Sequence, residues 1–295
     1  MIQVEGLAPI DVWAIAAIIA KAAGYGAALL AMGGSLFVAA FPCASDDVQQ
    51  LARKIAVTAA VIGLAVLAVR FGIRASRISG MGFPGAVDPM MLGFVWESPL
   101  GTAAIWRGVG ELLVLALLIK RVVGLVAGLV GAFLIAISYT FVGHSLGDPR
   151  WLLAALLTVH LLAAAFWIGA LAPLRHAVGR PNGPSILHRF GNIASITVAL
   201  LVVVGLIFAW LMTGSLSTLL STAYGWALLA KLGAVTGLMA LGALNKWRFV
   251  PALAAGEPSA ARHLRRSIDI EAVAVLLILI ATATLTSITT PPVNL

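Results

Sequence analysis

Cysteine is nearly missing from this chain of 295 residues, and charge is scarce. The single thiol, Cys43, excludes an intrachain disulfide, a CxxC redox pair and any multi-thiolate metal centre. Charged residues make up 10% of the chain against 61% hydrophobic ones, and the mean hydropathy is +1.07. A soluble domain needs roughly 25% charged residues to cover its surface, so water is not the main solvent here. No GxxxxGK[ST] phosphate loop occurs, which argues against ATP hydrolysis by the chain. There is no soluble-type repeat and no Ser-rich or low-complexity linker. The first residues lack a positive n-region and carry Glu5 and Asp11 instead, so the first helix is expected to stay uncleaved. The formal net charge of +8 does not indicate nucleic acid, because the Lys and Arg residues sit in short clusters between apolar runs. Anionic lipid headgroups are their expected neighbours.

What is there is apolar runs, from end to end. A helix needs roughly 20 apolar residues to cross a hydrocarbon layer of about 30 Å. Eight segments meet that length, near residues 12–40, 52–73, 102–119, 122–142, 151–174, 190–213, 222–247 and 268–289. The reading is an all-α, polytopic integral membrane protein of about eight transmembrane helices, forming a single domain over residues 1–295. The longest connection, residues 74–91, is broken by Gly and Pro. Within it Asp88-Pro89 has the form of an N-cap followed by Pro at the first helical position, which predicts a short surface helix over residues 86–94. Alternate connections hold twelve and five Lys or Arg residues, which predicts that both termini lie outside the cell membrane (N-out/C-out). Most of the eight tryptophans fall near segment ends, as an interfacial belt requires. Glycines in the first segment (Gly24, Gly26, Gly33, Gly34) and the seventh (Gly233, Gly237, Gly242) predict close helix packing there.

Four ionisable residues lie inside these segments. A charge at mid-bilayer costs from about 3 to well over 10 kcal/mol, so it normally faces protein and finds a partner. Lys21, Glu111, His160 and Lys231 fall roughly 13–17 Å from the outer ends of the odd-numbered segments. They are expected to share one depth. Lys21, Glu111 and Lys231 then form a buried polar network in which the carboxylate offsets the lysines, and His160 binds metal or carries protons. An interhelical salt bridge that only fixes packing explains the same residues equally well.

A second group lies toward the outer surface: Met81, Met90, Met91, His144, Asp148 and Met212. Thioethers are soft ligands that suit Cu(I), and imidazole suits either copper oxidation state, so these side chains form a candidate copper-capture set. Methionine is also an ordinary gap-filler and lipid-facing residue. His176, His188 and His263 lie among arginines and read as solvated loop residues, and Cys43 reads as a lone small thiol.

The stretch of residues 160–174, which begins at His160 and contains Trp167, is preceded by Gly143-His144. Further on come Arg189-Phe190, Tyr224-Gly225 with Lys231, Asn245-Lys246-Trp247-Arg248, Pro251, residues 264–272 and the terminal Thr290-Pro291-Pro292. Together these resemble the bacterial copper resistance protein D (CopD-like) copper import family, most specifically over residues 140–292. The resemblance implies an inner-membrane protein of eight helices that moves copper from periplasm to cytoplasm, often beside a soluble periplasmic copper-binding partner. It points to His144, His160 and Trp167, with Asn245 and Lys231 as matched positions of unassigned role. The long Met- and His-rich extensions found in some copper proteins are missing here, which bears on the capture step.

The expected function is therefore a copper transporter, not an enzyme: copper collected by His144 with Met81, Met90, Met91 and Met212, then passed inward by His160. Two lysines beside one carboxylate repel a metal cation, which predicts a neutral or anionic copper complex, a deprotonated lysine, or a path that avoids them. A haem-binding or redox membrane protein is a second reading, although bis-histidine ligation needs facing histidines and only His160 lies deep. A non-transporting copper-binding scaffold or sensor is a third.

Overall fold

The computed structural model describes residues 11–142, 149–213, 220 and 223–288, and among them every regular element is helical. The long helices are α1 (Val12–Ala40), α2 (Asp46–Ser79), α5 (Pro99–Leu115), α6 (Val122–Ser138), α7 (Arg150–Ala177), α8 (Gly183–Thr213), α9 (Ala223–Leu244) and α11 (Ala260–Ile288). Short 3₁₀ turns extend α5 over Ala116–Leu118 and α6 over Tyr139–Phe141. A π-helical turn, Asn245–Phe249, continues α9 into α10 (Val250–Ala254). Among the described residues, eight helical stretches are long and apolar enough to cross a membrane. Large side chains such as Val122, Val123, Leu206, Val203 and Leu277 are exposed along them. Such an apolar surface is untenable in water and natural against lipid.

The long connection folds as expected, with one refinement. It holds two short helices, α3 (Phe83–Val87) and α4 (Pro89–Glu97), and Asp88 caps the second by accepting from the Met91 amide at 2.9 Å. The last span begins eight residues earlier than its apolar run, because its first turns are amphipathic (residues 260–267). His176, His188 and His263 lie in helices instead of loops: His176 in the last turn of α7, His188 in α8, and His263 in α11 against the Phe249 ring.

The core forms around α1, which packs against α2, α5, α6, α7 and α11. Small residues make this possible: Gly33 meets Ala165 and Gly169 of α7 backbone to backbone, and Gly34 meets Ala52 and Ala56 of α2. Around these contacts lie Met32, Ala60, Val114, Leu117 and Ile135 on one side. Phe37, Phe41, Phe166, Trp167 and Leu171 form a second cluster. The equivalent role expected of α9 is realised in part: a methyl at Gly233 or Gly237 would meet nothing within 4 Å, whereas one at Gly242 would stand 2.8 Å from the Trp167 ring of α7.

Polar ties define one end of the bundle. Arg53 donates to the Leu117 carbonyl at 2.9 Å, so the α1–α2 and α5–α6 turns lie side by side. Asp47 accepts from Arg180 and sits 2.9 Å from His176, and Arg175 pairs with Asp269 at 2.5 Å. These pairs are substantially exposed, so solvent and salt screen them and each stabilises little. Together they bring the starts of α2 and α11 and the ends of α5 and α7 to one Arg-rich end. The α3–α4 connection lies at the opposite end.

Candidate functional site

Two wholly buried carboxylates lie within the spans, Glu111 at 1% and Glu271 at 3% exposure. Neither takes part in an ion pair within 4 Å among the described residues.

Glu111 stands on α5, one turn beyond Arg107, and packs against Gly63 of α2, where a methyl would overlap its carboxylate. Arg107 is itself buried, but it is turned toward α6. Its Nε donates to Ser138 Oγ at 3.2 Å and its guanidinium lies 3.8 Å from the centre of the Tyr139 ring. Tyr139 in turn donates weakly to the Gly24 carbonyl at 3.4 Å and packs beside Tyr25. With the guanidinium so occupied, Glu111 Oε2 has no hydrogen-bond partner among the described residues. Such an atom is costly to bury and rarely left so without a role.

Of the expected companions of Glu111, Lys21 and His160 lie wholly among the described residues. Lys21 donates to the Thr286 carbonyl at 2.7 Å, tying α1 to the last turn of α11, and makes no ion pair with Glu111 among the described residues. Lys231 is carried by α9, whose neighbours are α8, α11 and the π turn, and its side chain lies outside the described residues. His160 is half-buried in the third turn of α7. Helix α7 packs against α1, α2, α6, α8 and α11, while α5 meets α1, α2, α4 and α6. His160 and Glu111 thus hang from helices with shared neighbours. Counted along their helices from the end opposite the Arg-rich one, Lys21, His160 and Glu111 lie about 14, 15 and 18 Å deep.

Of the capture set, Met81 and Met90 are exposed on the α3–α4 connection, and Met91 follows Met90 on α4. His144 and Asp148 lie outside the described residues, as does the Met212 side chain. Among the described residues no three His, Cys, Asp or Glu side chains form a metal cluster.

The second carboxylate gathers Trp167 and Asn245, two of the positions that carry the family resemblance. Trp167 of α7 donates through Nε1 to Glu271 Oε2 at 3.0 Å, and Asn245 donates through Nδ2 to Oε1. Asn245 opens the π turn, and Gly242 before it lies under the Trp167 ring, where a methyl would stand 2.8 Å from Cζ2. Single π turns inside α-helices are frequent at functional sites. Trp167 is thereby separated from the exposed interfacial tryptophans, such as Trp151, Trp210, Trp226 and Trp247. Glu271 itself escaped sequence reasoning. It lies only three residues beyond the expected start of the last span, where hydropathy does not single it out.

Comparison with known families bears on both sites. The family model described as copper resistance protein D matches residues 184–285, and that of the copper resistance protein D-like N-terminal domain matches residues 10–149. The chain belongs to the copper resistance protein D family. No curated protein and no solved structure matches it. Copper resistance protein D membership covers Glu111 and Gly63 in the N-terminal match and Asn245 and Glu271 in the other. His160 and Trp167 fall between the two matched ranges. The protein is therefore a multi-pass membrane protein of a copper resistance family.

Proposed function

We propose that the protein is a copper permease of the bacterial inner membrane, moving copper from the periplasm toward the cytoplasm. Copper is the cargo, and no covalent step by the chain is required. The observation that carries this reading is Glu111, a buried carboxylate in mid-span with one oxygen unpartnered among the described residues, in a chain of a copper resistance family. A cation crossing lipid needs negative charge at mid-depth to offset its lost hydration. Two features of the site favour that use. Lys21 is held away by Thr286, which removes one of the two lysines expected to repel a cation. Arg107 is drawn off by Ser138 and the Tyr139 ring, which leaves Oε2 open.

In this reading the Arg-rich end faces the cytoplasm, and both termini lie outside. His144, with Met81, Met90, Met91 and Met212, collects copper from the periplasm or from a soluble copper-binding partner there. His160 and then Glu111 pass it inward.

The test is copper uptake into proteoliposomes reconstituted with the wild type, His144→Ala, His160→Ala and Glu111→Gln. Uptake by the wild type and its loss of roughly tenfold or more in Glu111→Gln is expected, equivalent to about 1.4 kcal/mol on the barrier. Wild-type vesicles no faster than empty ones would overturn the transport reading. Undiminished uptake in all three variants would overturn the route.

A further inference from the structure

Glu271 has the surroundings of a carboxyl group that carries a proton. It is buried at the meeting of α7, α11 and the π turn, and both its partners, the Trp167 indole and the Asn245 amide, are neutral. Among the described residues it makes no ion pair within 4 Å. On α7 and α11 the nearest charges, Arg175 and Asp269, neutralise each other at the exposed Arg-rich end. On the π turn, Lys246 is turned to Ser195 of α8. On α1, Lys21 reaches α11 only at Thr286, fifteen residues away. The residues of α10, which packs against α11 and the π turn, are apolar. An ionised carboxylate in such a place has no counter-charge, and burying it so is expensive.

Asn245 supplies a further clue. Its Oδ1 is buried and has no hydrogen-bond partner among the described residues, although its Nδ2 donates to Glu271. An amide carries a donor and an acceptor that exchange places when it turns over. With Glu271 ionised, Nδ2 donates to Oε1. With Glu271 protonated, the amide turned over presents Oδ1 to accept the new O–H, while Trp167 keeps donating to Oε2. Both states are met without moving a helix.

We propose that Glu271, Asn245 and Trp167 form a proton-binding site, and that its loading and unloading accompanies the passage of copper. The second half rests on the transport reading above. In the step itself one O–H bond forms on Glu271 and the Asn245 N–H···O bond to it is replaced by O–H···O; the proton comes from water and returns to it.

The experiment is infrared difference spectroscopy of the full chain in lipid vesicles, between acidic and alkaline buffer, in H₂O and D₂O. A carboxylic C=O band that appears on acidification, shifts in D₂O and vanishes in Glu271→Gln is expected, and its position should move in Asn245→Ala and Trp167→Phe. The two latter variants decide the matter if Glu271→Gln does not fold. A spectrum without such a band, or one unchanged in all three variants, overturns the site. Copper uptake in the same vesicles should change by roughly tenfold on reversing the pH gradient in the wild type and not in Glu271→Gln, or in Asn245→Ala if Glu271→Gln does not fold. A band with gradient-independent uptake overturns the coupling. Absence of any wild-type uptake overturns the transport reading and the coupling with it, leaving the band to decide the site.

Discussion

The contact between Gly63 and Glu111 can be tested by adding one methyl group. In Gly63→Ala the new Cβ would stand 2.7 Å from Glu111 Cδ and 3.1 Å from Oε2, and would overlap Oε1, where ordinary contact begins at 3.4 Å. Glu111 is 1% exposed and has no open space to retreat into, so α2 and α5 must separate or the carboxylate must swing toward Arg107. Overpacking of this kind costs about 1–3 kcal/mol. Glu111→Ala alone leaves a cavity and is destabilising for the opposite reason. The methyl fills part of that cavity in the double variant, whose loss should fall short of the sum of the two single losses by about 1–3 kcal/mol. The assay is denaturant unfolding of the four proteins in one detergent, read by tryptophan fluorescence. Additivity within about 0.5 kcal/mol would refute the placement of Glu111 against Gly63. Copper uptake offers a parallel readout, in which Gly63→Ala should lose activity because its carboxylate is displaced.

Trp167→Phe keeps a six-membered aromatic ring but deletes the pyrrole portion with the N–H that reaches Glu271, and should cost about 1–3 kcal/mol or more in the same unfolding assay, as expected for a buried acceptor left short of a donor beside a small cavity. Gly169→Ala forces a methyl into the backbone of α1 at Gly33 and should destabilise by about 1–3 kcal/mol or more, whereas Gly205→Ala, which meets nothing within 4 Å, should be neutral or stabilise by about 0.5–1 kcal/mol through helix propensity; thermal melts of the pair separate them. Asp47→Asn removes the negative charge shared by Arg180 and His176 at an exposed surface, so its melting temperature should fall only slightly, and the difference should shrink in high salt.

The spans were legible in the sequence because in lipid every backbone group must be satisfied within the helix, and apolar length alone marks the crossing. The Asp88-Pro89 cap was equally plain, since its chemistry is local. The ends were less so: α2 and α11 run on beyond their apolar stretches through residues such as Asp46, Arg77 and Arg262, which hydropathy assigns to loops and the helix simply carries. At the site, depth was readable from residue counts and contact was not. Counting places Lys21 level with Glu111, but only packing shows that α1 turns Lys21 toward α11. Arg107 read as a connection charge, and its burial depends on α6 bringing Ser138 and Tyr139 beneath it. Trp167 and Asn245 stood out through family likeness, while the carboxylate that joins them needed the fold to be seen.

The flanking position of α8 and α9 has a mechanical consequence. Little of either helix is buried, and α9 meets the rest of the protein chiefly along α11. Asn245 therefore stands at the foot of a lightly anchored hairpin, while Trp167 and Glu271 belong to the rigid body built on α1. Prising one from the other sacrifices a hydrogen bond and the seat of an indole on Gly242. A swing of that hairpin would therefore act directly on the Asn245 amide that meets Glu271.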